Sequence, residues 1–232
     1  MSEITDNVKA VLDGIAEAAL AAGRAPGDIR LVAASKMNSA DRVREAIAAG
    51  VRACGENRAQ ELEEKLAQNA YDGAEVHFIG HLQRNKVKNV TGRVSLIQSV
   101  DSPTLMEMIS DRAEKLGIIQ DVLIEVNIGG EDAKSGAEPG FARELAARAG
   151  DFPALRVRGL MCIPPFEPDM SAVKNYFDKM YNLFVDIRDK KYDNTDMSIL
   201  SMGMSGDYRQ AIACGANMVR VGTAIFGMRH YK

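Results

Sequence analysis

Short apolar runs alternate with amphipathic segments along the chain. Residues 4–22 carry apolar side chains at helical spacing, with Ile4, Val8 and Ile15 on one face, and they predict a helix that ends at Gly23. Residues 31–36 form the first mostly apolar run, and a run of this length between polar segments is typical of a buried strand in a parallel sheet.

The same alternation continues to the end of the chain. Further strands are predicted at residues 51–54, 76–79, 94–100, 121–126, 155–160, 198–201 and 218–221. Helices are predicted between them, the first opened by Ser39 or Asp41 and ended by Gly50, the others near 57–67, from 83, over 101–116, 141–149, 170–190 and 208–214. A final helical stretch is expected after residue 221.

Eight strand-like runs that alternate with helices indicate an α/β fold with a parallel sheet. The count of eight favours a single (β/α)8 TIM barrel, here with an extra N-terminal helix, and a doubly wound open sheet is the alternative. The sequence contains no linker and no low-complexity tract, so we interpret residues 1–232 as one domain.

Composition and charge narrow the functional classes. The chain of 232 residues has 29 Lys and Arg against 32 Asp and Glu, and its net charge of −3 gives no sign of nucleic-acid or membrane binding. Cys54, Cys162 and Cys214 are far apart and odd in number, which argues against a disulfide framework or a zinc site and fits a reducing cytoplasm. The first residues lack a signal-peptide core, and no apolar run is long enough to cross a bilayer.

Lys36 stands at the carboxyl-terminal tip of the first predicted strand, where α/β barrels place their chemistry. Burial lowers the pKa of an amine, and a neutral amine attacks carbonyl groups to form a Schiff base. Judged by position alone, a strand-end lysine that reaches solvent is the more common case. The interpretation of Lys36 therefore depends on what else lies at the same rim.

Two turns rich in glycine and hydroxyl groups, residues 201–206 and 220–224, follow the last two strands. In a barrel these turns form the usual phosphate site, and Ser201, Ser205 and Thr223 add hydroxyl donors. The alternative for each turn taken separately is an ordinary surface turn. A nucleophilic lysine and a phosphate anchor together fit a phosphorylated aldehyde, either pyridoxal 5′-phosphate (PLP) or the sugar phosphate of a class I aldolase.

Several longer motifs carry a specific resemblance. In chain order they are VAASKM, GENRAQE, HFIG with LQRNK, VNIGGEDAKSG, GLMCIPP, LSMGMSGDY and VRVGTAIFG. They cover nearly the whole chain, and they resemble the pyridoxal phosphate homeostasis protein family. The barrel of that family is similar to the N-terminal barrel of alanine racemase, the fold-type III class of PLP proteins.

The resemblance implies the residues of a site. In this site Lys36 holds PLP as a Schiff base, Arg220 lies near the pyridine nitrogen, and Asn57 lies close to the cofactor. The phosphate is expected among Ser201, Ser205, Gly222 and Thr223. Two alternatives stay open at this point: Arg220 could pair with a carboxylate at the rim, and Asn57 could cap the helix after the second strand.

Other residues receive structural interpretations. His77 lies within a predicted strand, and Cys54 and Cys162 are expected to be small core residues. Residues 127–139 are interpreted as a solvated loop, and His81 is given no role.

Three functions are compatible with these features. The first, which we favour, is intracellular PLP homeostasis, in which a monomer buffers the cofactor or delivers it to PLP-dependent apo-enzymes without strong amino-acid turnover. The second is a PLP-dependent amino-acid racemase, which needs an acid/base on each face of the substrate Cα, whereas Lys36 supplies one. Arg220 also disfavours a protonated ring nitrogen and so weakens the ring as an electron sink. The third is a cofactor-free Schiff-base aldolase.

Overall fold

The computed structural model describes residues 2–131, 135–167 and 169–228, and within them eight strands form a closed barrel in chain order. Every pairing is parallel, including that of the first strand with the last. The strands are β1 (Arg30–Ala34), β2 (Ala53–Glu56), β3 (Glu75–Phe78), β4 (Leu96–Val100), β5 (Gln120–Val126), β6 (Leu155–Cys162), β7 (Thr195–Ser201) and β8 (Met218–Val221).

Helices surround the barrel. They are α1 (Glu3–Ala21), α2 (Ala40–Ala48), α3 (Ala59–Leu66), α4 (Val87–Val90), α5 (Pro103–Leu116), α6 (Pro139–Ala147), α7 (Met170–Lys190), α8 (Tyr208–Ala213) and α9 (Thr223–Phe226). Short 3-10 turns occur at Pro26–Asp28, Arg84–Lys86 and Ala149–Asp151. No helix in the described part of the chain combines the length and the apolarity that a bilayer-spanning segment requires.

The predicted fold is confirmed, because the sheet closes into a (β/α)8 barrel and α1 precedes it. The open-sheet alternative is excluded by the pairing of β1 with β8. Several predicted bounds shift by one to three residues, as for β7, which begins at Thr195 and not at residue 198. Two local predictions differ in ways that affect the rim of the barrel. The second strand begins at Ala53 and not at residue 51, and it extends to Glu56, which is buried and pairs with Phe78. The helix predicted from residue 83 is only a 3-10 turn and the four-residue α4.

The extra helix α1 is fixed by a cap at its own start and by contacts with two helices near the other end of the sequence. Ser2 Oγ accepts a hydrogen bond from the Thr5 backbone N–H at 3.3 Å, as an N-cap residue does. The buried face of α1 packs against α8 and α9. Asn7 Nδ2 donates to the carbonyl of Ile225 at 3.1 Å, so α1 braces the two helices that follow the last two strands.

The barrel interior holds a belt of apolar side chains and a set of buried polar ones. The apolar belt consists of Val32, Ala53, Leu96, Leu123, Met161 and Met218. Four buried polar residues, His77, Gln98, Ser201 and Arg220, form hydrogen bonds with one another. Hydrogen bonding of this kind offsets the cost of burying polar groups. The four residues form one polar path inside the apolar belt.

Candidate functional site

A cavity of about 530 Å³ opens at the carboxyl ends of the strands. Its walls come from the end of β1 and the segments after β1, β2, β3, β6, β7 and β8, which is the face where barrels place their chemistry. The residues around it are Ala34, Lys36, Asn57, Ile79, Ile163, Pro164, Pro165, Phe166, Glu167, Met170, Val173, Met204, Ser205, Gly206, Asp207, Arg220, Gly222 and Thr223.

Six of the seven predicted site residues line this one cavity, although they come from four separate segments of the chain. They are Lys36, Asn57, Ser205, Arg220, Gly222 and Thr223. The structure places the seventh, Ser201, elsewhere. Ser201 ends β7 inside the barrel and is fully buried beneath Arg220. The Ser201 hydroxyl accepts a hydrogen bond from Arg220 and donates one to Gln98. This position differs from the prediction that Ser201 contacts a phosphate.

Lys36 lies in a turn just after β1 and is half-buried. The turn is held from two sides. Asn38 Nδ2 donates to the Lys36 carbonyl at 3.1 Å, and Glu61 Oε2 accepts from the Met37 N–H at 2.7 Å. Met37 has a φ of 62°, a left-handed conformation that a non-glycine residue seldom adopts. The Glu61 contact from α3 therefore stabilises a turn that would otherwise be unfavourable.

A buried carboxylate holds the residue before Lys36. Glu56 Oε1 accepts hydrogen bonds from Ser35 Oγ at 2.5 Å, Lys65 Nζ at 2.6 Å and Tyr71 OH at 3.0 Å. Lys65 Nζ also donates to the Ser35 carbonyl at 2.8 Å. Burial and the Glu56 charge raise the pKa of Tyr71, which keeps its hydroxyl protonated as a donor. Ser35 is thus fixed through both its side chain and its backbone.

This buried cluster was missed by sequence reasoning. The sequence located Glu56 only as a residue after the second strand and gave Lys65 and Tyr71 no role. One signal was available: Ala59, Leu62 and Lys65 recur every three residues on the buried face of α3. A lysine on an otherwise apolar face indicates a buried partner.

Hydrogen bonds join the loops after β7 and β8 at the cavity. Ser205 Oγ accepts hydrogen bonds from the backbone N–H groups of Gly222 and Ala224, both at 3.3 Å. A hydroxyl that accepts in this way keeps its own proton available for donation. Thr223 is the first residue of α9, and Asp207 Oδ1 accepts from the Met204 N–H at 2.5 Å, which fixes the loop that carries Ser205.

Arg220 is 4% exposed and has neutral hydrogen-bond partners. Nη1 donates to Ser201 Oγ at 2.6 Å, and Nη2 donates to the Cys162 carbonyl at 2.7 Å. Neither partner is a carboxylate. The hydrogen bonds of Arg220 therefore differ from the alternative in which it pairs with a carboxylate at the rim. Burial lowers the pKa of Arg220, while the Cys162, Glu125 and Asp207 groups act in the opposite direction. An arginine stays charged under such conditions.

Asn57 presents an unpaired acceptor. Its Oδ1 is buried and has no hydrogen-bond partner among the described residues. Arg58, not Asn57, is the N-cap residue of α3, so the capping alternative is wrong. Gly80 lies against the Asn57 backbone so closely that a Cβ at position 80 would stand 2.3 Å from the Asn57 carbonyl oxygen. This close approach fixes the backbone of Asn57 at the cavity wall.

Two further buried groups lie near Arg220. Burial raises the pKa of the Glu125 carboxyl to about 7, and the Asp101 charge adds to this effect. Burial also raises the pKa of the Cys162 thiol to about 12. Cys162 and Cys54 are fully buried, which confirms their predicted place in the core. A thiol with so high a pKa is a weak nucleophile at neutral pH.

The remaining predictions concern the loop after β5 and His81. Residues 132–134 of the predicted 127–139 loop lie outside the described residues. At its start, Asn127 exchanges two hydrogen bonds with the Glu131 backbone, at 2.8 and 3.2 Å, and both residues lie towards solvent. His81 is exposed and is not among the residues that line the cavity.

Comparisons with known proteins show the family of this chain. The sequence profile of the family described as "Alanine racemase, N-terminal domain" matches residues 16–230. The pyridoxal phosphate homeostasis protein of Aquifex aeolicus is 42% identical over 97% of this chain and 98% of that protein.

Solved structures show the same barrel. The crystal structure of an unknown protein from Bifidobacterium adolescentis is 41% identical and has a TM-score of 0.91, covering 97% of this chain and 94% of the other. PipY of Synechococcus elongatus, solved with PLP bound, is 31% identical with a TM-score of 0.80, covering 92% of this chain and 100% of the other.

Proposed function

This chain belongs to the pyridoxal phosphate homeostasis protein family, and on that premise we propose that it binds PLP and acts in intracellular PLP homeostasis. The cofactor is held in the cavity at the carboxyl ends of the strands, attached covalently to Lys36. The observation that carries this proposal is the arrangement of Lys36, Arg220 and the Ser205–Gly222–Thr223 cradle around one cavity.

The cavity residues fit PLP in size and in chemistry. A volume of about 530 Å³ falls within the range of small-molecule sites. The hydroxyls of Ser205 and Thr223 offer neutral donors for a phosphate, since Ser205 Oγ accepts from the Gly222 N–H and keeps its own proton for donation. The unpaired Asn57 Oδ1 can accept a hydrogen bond from a ligand. When bound, PLP supplies an aldehyde for a primary amine and a ring that withdraws electrons.

The chain's own residues favour holding the cofactor over amino-acid turnover. Contacts of Glu61 with the Met37 N–H and of Lys65 with the Ser35 carbonyl fix the backbone on both sides of Lys36, which lines the cavity. Arg220 only donates hydrogen bonds, so a ring nitrogen beside it would remain an unprotonated acceptor. Such a nitrogen weakens electron withdrawal by the ring.

We expect removal of the hydroxyl donors to weaken PLP binding selectively. In Ser205→Ala/Thr223→Val, each lost hydrogen bond to a charged phosphate should cost about 1.5–3 kcal/mol. Equilibrium dialysis would show the loss for PLP, while pyridoxal, which lacks the phosphate, should bind with unchanged affinity. Thr104→Val, an exposed change on α5, serves as the matched control. Equal losses for both ligands would place the phosphate elsewhere.

The racemase alternative has one observation in its favour, because the carboxylates of Asp207 and Glu167 line the same cavity as Lys36. A carrier should nevertheless leave amino-acid configuration unchanged. We expect single L- or D-amino acids incubated with the loaded protein in D₂O to keep their configuration by chiral chromatography, with at most slow deuterium uptake by mass spectrometry. Inversion at a turnover near ~10 s⁻¹, typical of enzymes, would contradict the carrier function.

We further propose the cellular compartment and the oligomeric state in which the protein acts. The three cysteines are free and buried, which is the state expected in the reducing cytoplasm. The protein is proposed to act there as a monomer of one domain, residues 1–232, and to deliver PLP to apo-enzymes that depend on it.

A further inference from the structure

An unbroken path of hydrogen bonds crosses the barrel interior from the cavity towards its opposite end. Arg220 Nη1 lies 2.6 Å from Ser201 Oγ, which lies 2.7 Å from Gln98 Oε1. Gln98 Nε2 lies 3.0 Å from His77 Nδ1, and His77 Nε2 lies 3.3 Å from Glu75 Oε2. These five residues, on β8, β7, β4 and β3, are called the axial chain below.

The axial chain has one consistent arrangement of protons. Arg220 can only donate, so Ser201 Oγ accepts from it and sends its own proton to Gln98 Oε1. The Gln98 amide nitrogen then donates to His77 Nδ1, which must be unprotonated. His77 therefore carries its proton on Nε2 and donates it to Glu75. A neutral imidazole in one tautomer satisfies every member.

The far end of the axial chain lies at a second cavity, of about 380 Å³, at the amino ends of the strands. Glu75 is half-exposed there, whereas His77 is fully buried. The charged groups around His77 are Glu75 on its own strand, Arg30 on β1, Asp121 on β5 and Arg158 on β6. Arg30 pairs with Glu75 at 3.0 Å, and Arg158 pairs with Asp121 at 2.7 Å.

These charges act on His77 in opposite directions. Burial, the largest effect, lowers the pKa of His77, and the Arg30 charge lowers it further. The hydrogen bond to Glu75 and its charge raise the pKa. The neutral form that the axial chain requires is therefore also the form that burial favours.

We propose that Gln98, His77 and Glu75 are positioning residues of the cofactor site, which fix the Arg220 guanidinium and couple it to the proton on His77. Protonation would place a second N–H on Nδ1, facing the Gln98 amide nitrogen. Two donors cannot bond, so the Gln98 amide must turn and present Nε2 to Ser201. Ser201 Oγ then accepts from both Gln98 and Arg220 and loses the acceptor for its own proton, which changes the hydrogen bonding around the Arg220 guanidinium.

The coupling can be measured without cofactor, by NMR of the whole chain from about pH 8 down to the lowest pH at which the chain stays folded, because burial lowers the pKa of His77 below the ordinary range of histidine. We expect the ring nitrogens of His77 to show the Nε2–H tautomer at high pH. The side-chain N–H signals of Arg220 should shift with the same midpoint as His77. In Gln98→Leu this shift of the Arg220 signals should be lost. Thr195→Val, a change on the same strand as Ser201 but outside both the axial chain and the second cavity, should retain it.

Binding provides a second readout, which rests on the proposed function. At high pH, Gln98→Leu should bind PLP about tenfold more weakly, as expected for the loss of one hydrogen bond. The ratio of wild-type to Gln98→Leu affinity should fall towards one as His77 becomes protonated.

The outcomes separate the two proposals. The proposed coupling is wrong, even if PLP binds, when the Arg220 signals do not shift as His77 titrates. It is also wrong when neutral His77 carries its proton on Nδ1. Coupled titration in a protein that does not bind PLP would support the axial chain and refute the proposed function. Because the NMR measurement uses the wild-type chain, the test does not depend on whether Gln98→Leu folds.

Discussion

Lys36→Ala is expected to abolish covalent attachment of PLP while leaving the fold and the phosphate cradle in place. Lys36 is half-buried in a turn and lies outside the core, so its side chain contributes little to packing. The amine is the nucleophile that forms the bond to the aldehyde. Borohydride reduction of the loaded wild type followed by peptide mass spectrometry should place the label on Lys36 alone, and the variant should carry none.

Lys86→Ala, which removes an exposed lysine from the 3-10 turn after β3, is the matched control and should retain the label. The variant Lys36→Ala should still bind PLP reversibly through the cradle of Ser205 and Thr223. A label on another lysine in the wild type, or unchanged labelling of Lys36→Ala, would show that attachment occurs elsewhere.

Lys65→Met should cause the largest loss of stability of any change discussed. Lys65 and Glu56 are 7% and 0% exposed in their side chains, and their charged atoms lie 2.6 Å apart. Removal of one partner leaves a buried charge without compensation, which costs about 3–5 kcal/mol. Urea denaturation would measure the free energy of unfolding. Lys174→Met, which breaks an exposed pair with Asp178 on α7, should change it by less than about 0.5 kcal/mol.

The double variant Lys65→Met/Glu56→Leu tests the cause of this loss. If the unpaired charge is responsible, the double variant should regain much of the stability, because a hydrophobic replacement of a buried pair is often neutral. Equal instability of the single and double variants would instead point to lost packing. In conditions where Lys65→Met is folded, borohydride labelling of Lys36 should be slower, since Ser35 loses a backbone contact.

The sequence predicted the fold and the cavity well because both depend on a simple repeat. Alternating strands and helices determine the barrel, and the carboxyl ends of its strands share one rim. Lys36, Ser205 and Gly222 could therefore be brought together without any knowledge of their contacts. Their roles towards PLP remain proposals, because they follow from resemblance and position.

Side-chain direction and long-range pairing were harder to predict. Ser201 is the last residue of β7, and whether it points to the cavity or into the barrel depends on the register of the strand. Its partner Gln98 is 103 residues away in sequence. In the hydropathy pattern Gln98 and His77 are single polar residues within apolar strands, and the pattern carries no information on which residues they contact. Their pairing follows only from the structure.

The packing of α1 has a consequence for how the protein is made. Asn7 on α1 is hydrogen-bonded to Ile225, which is 218 residues later, and β1 pairs with β8. Contacts of such large sequence separation form slowly and late. On the ribosome, α1 and β1 emerge long before their partners exist. A nascent chain that has reached residue 215 would carry Lys36 but neither Gly222 nor Thr223, so barrel closure and completion of the proposed phosphate cradle both depend on the synthesis of β8 and the residues that follow it.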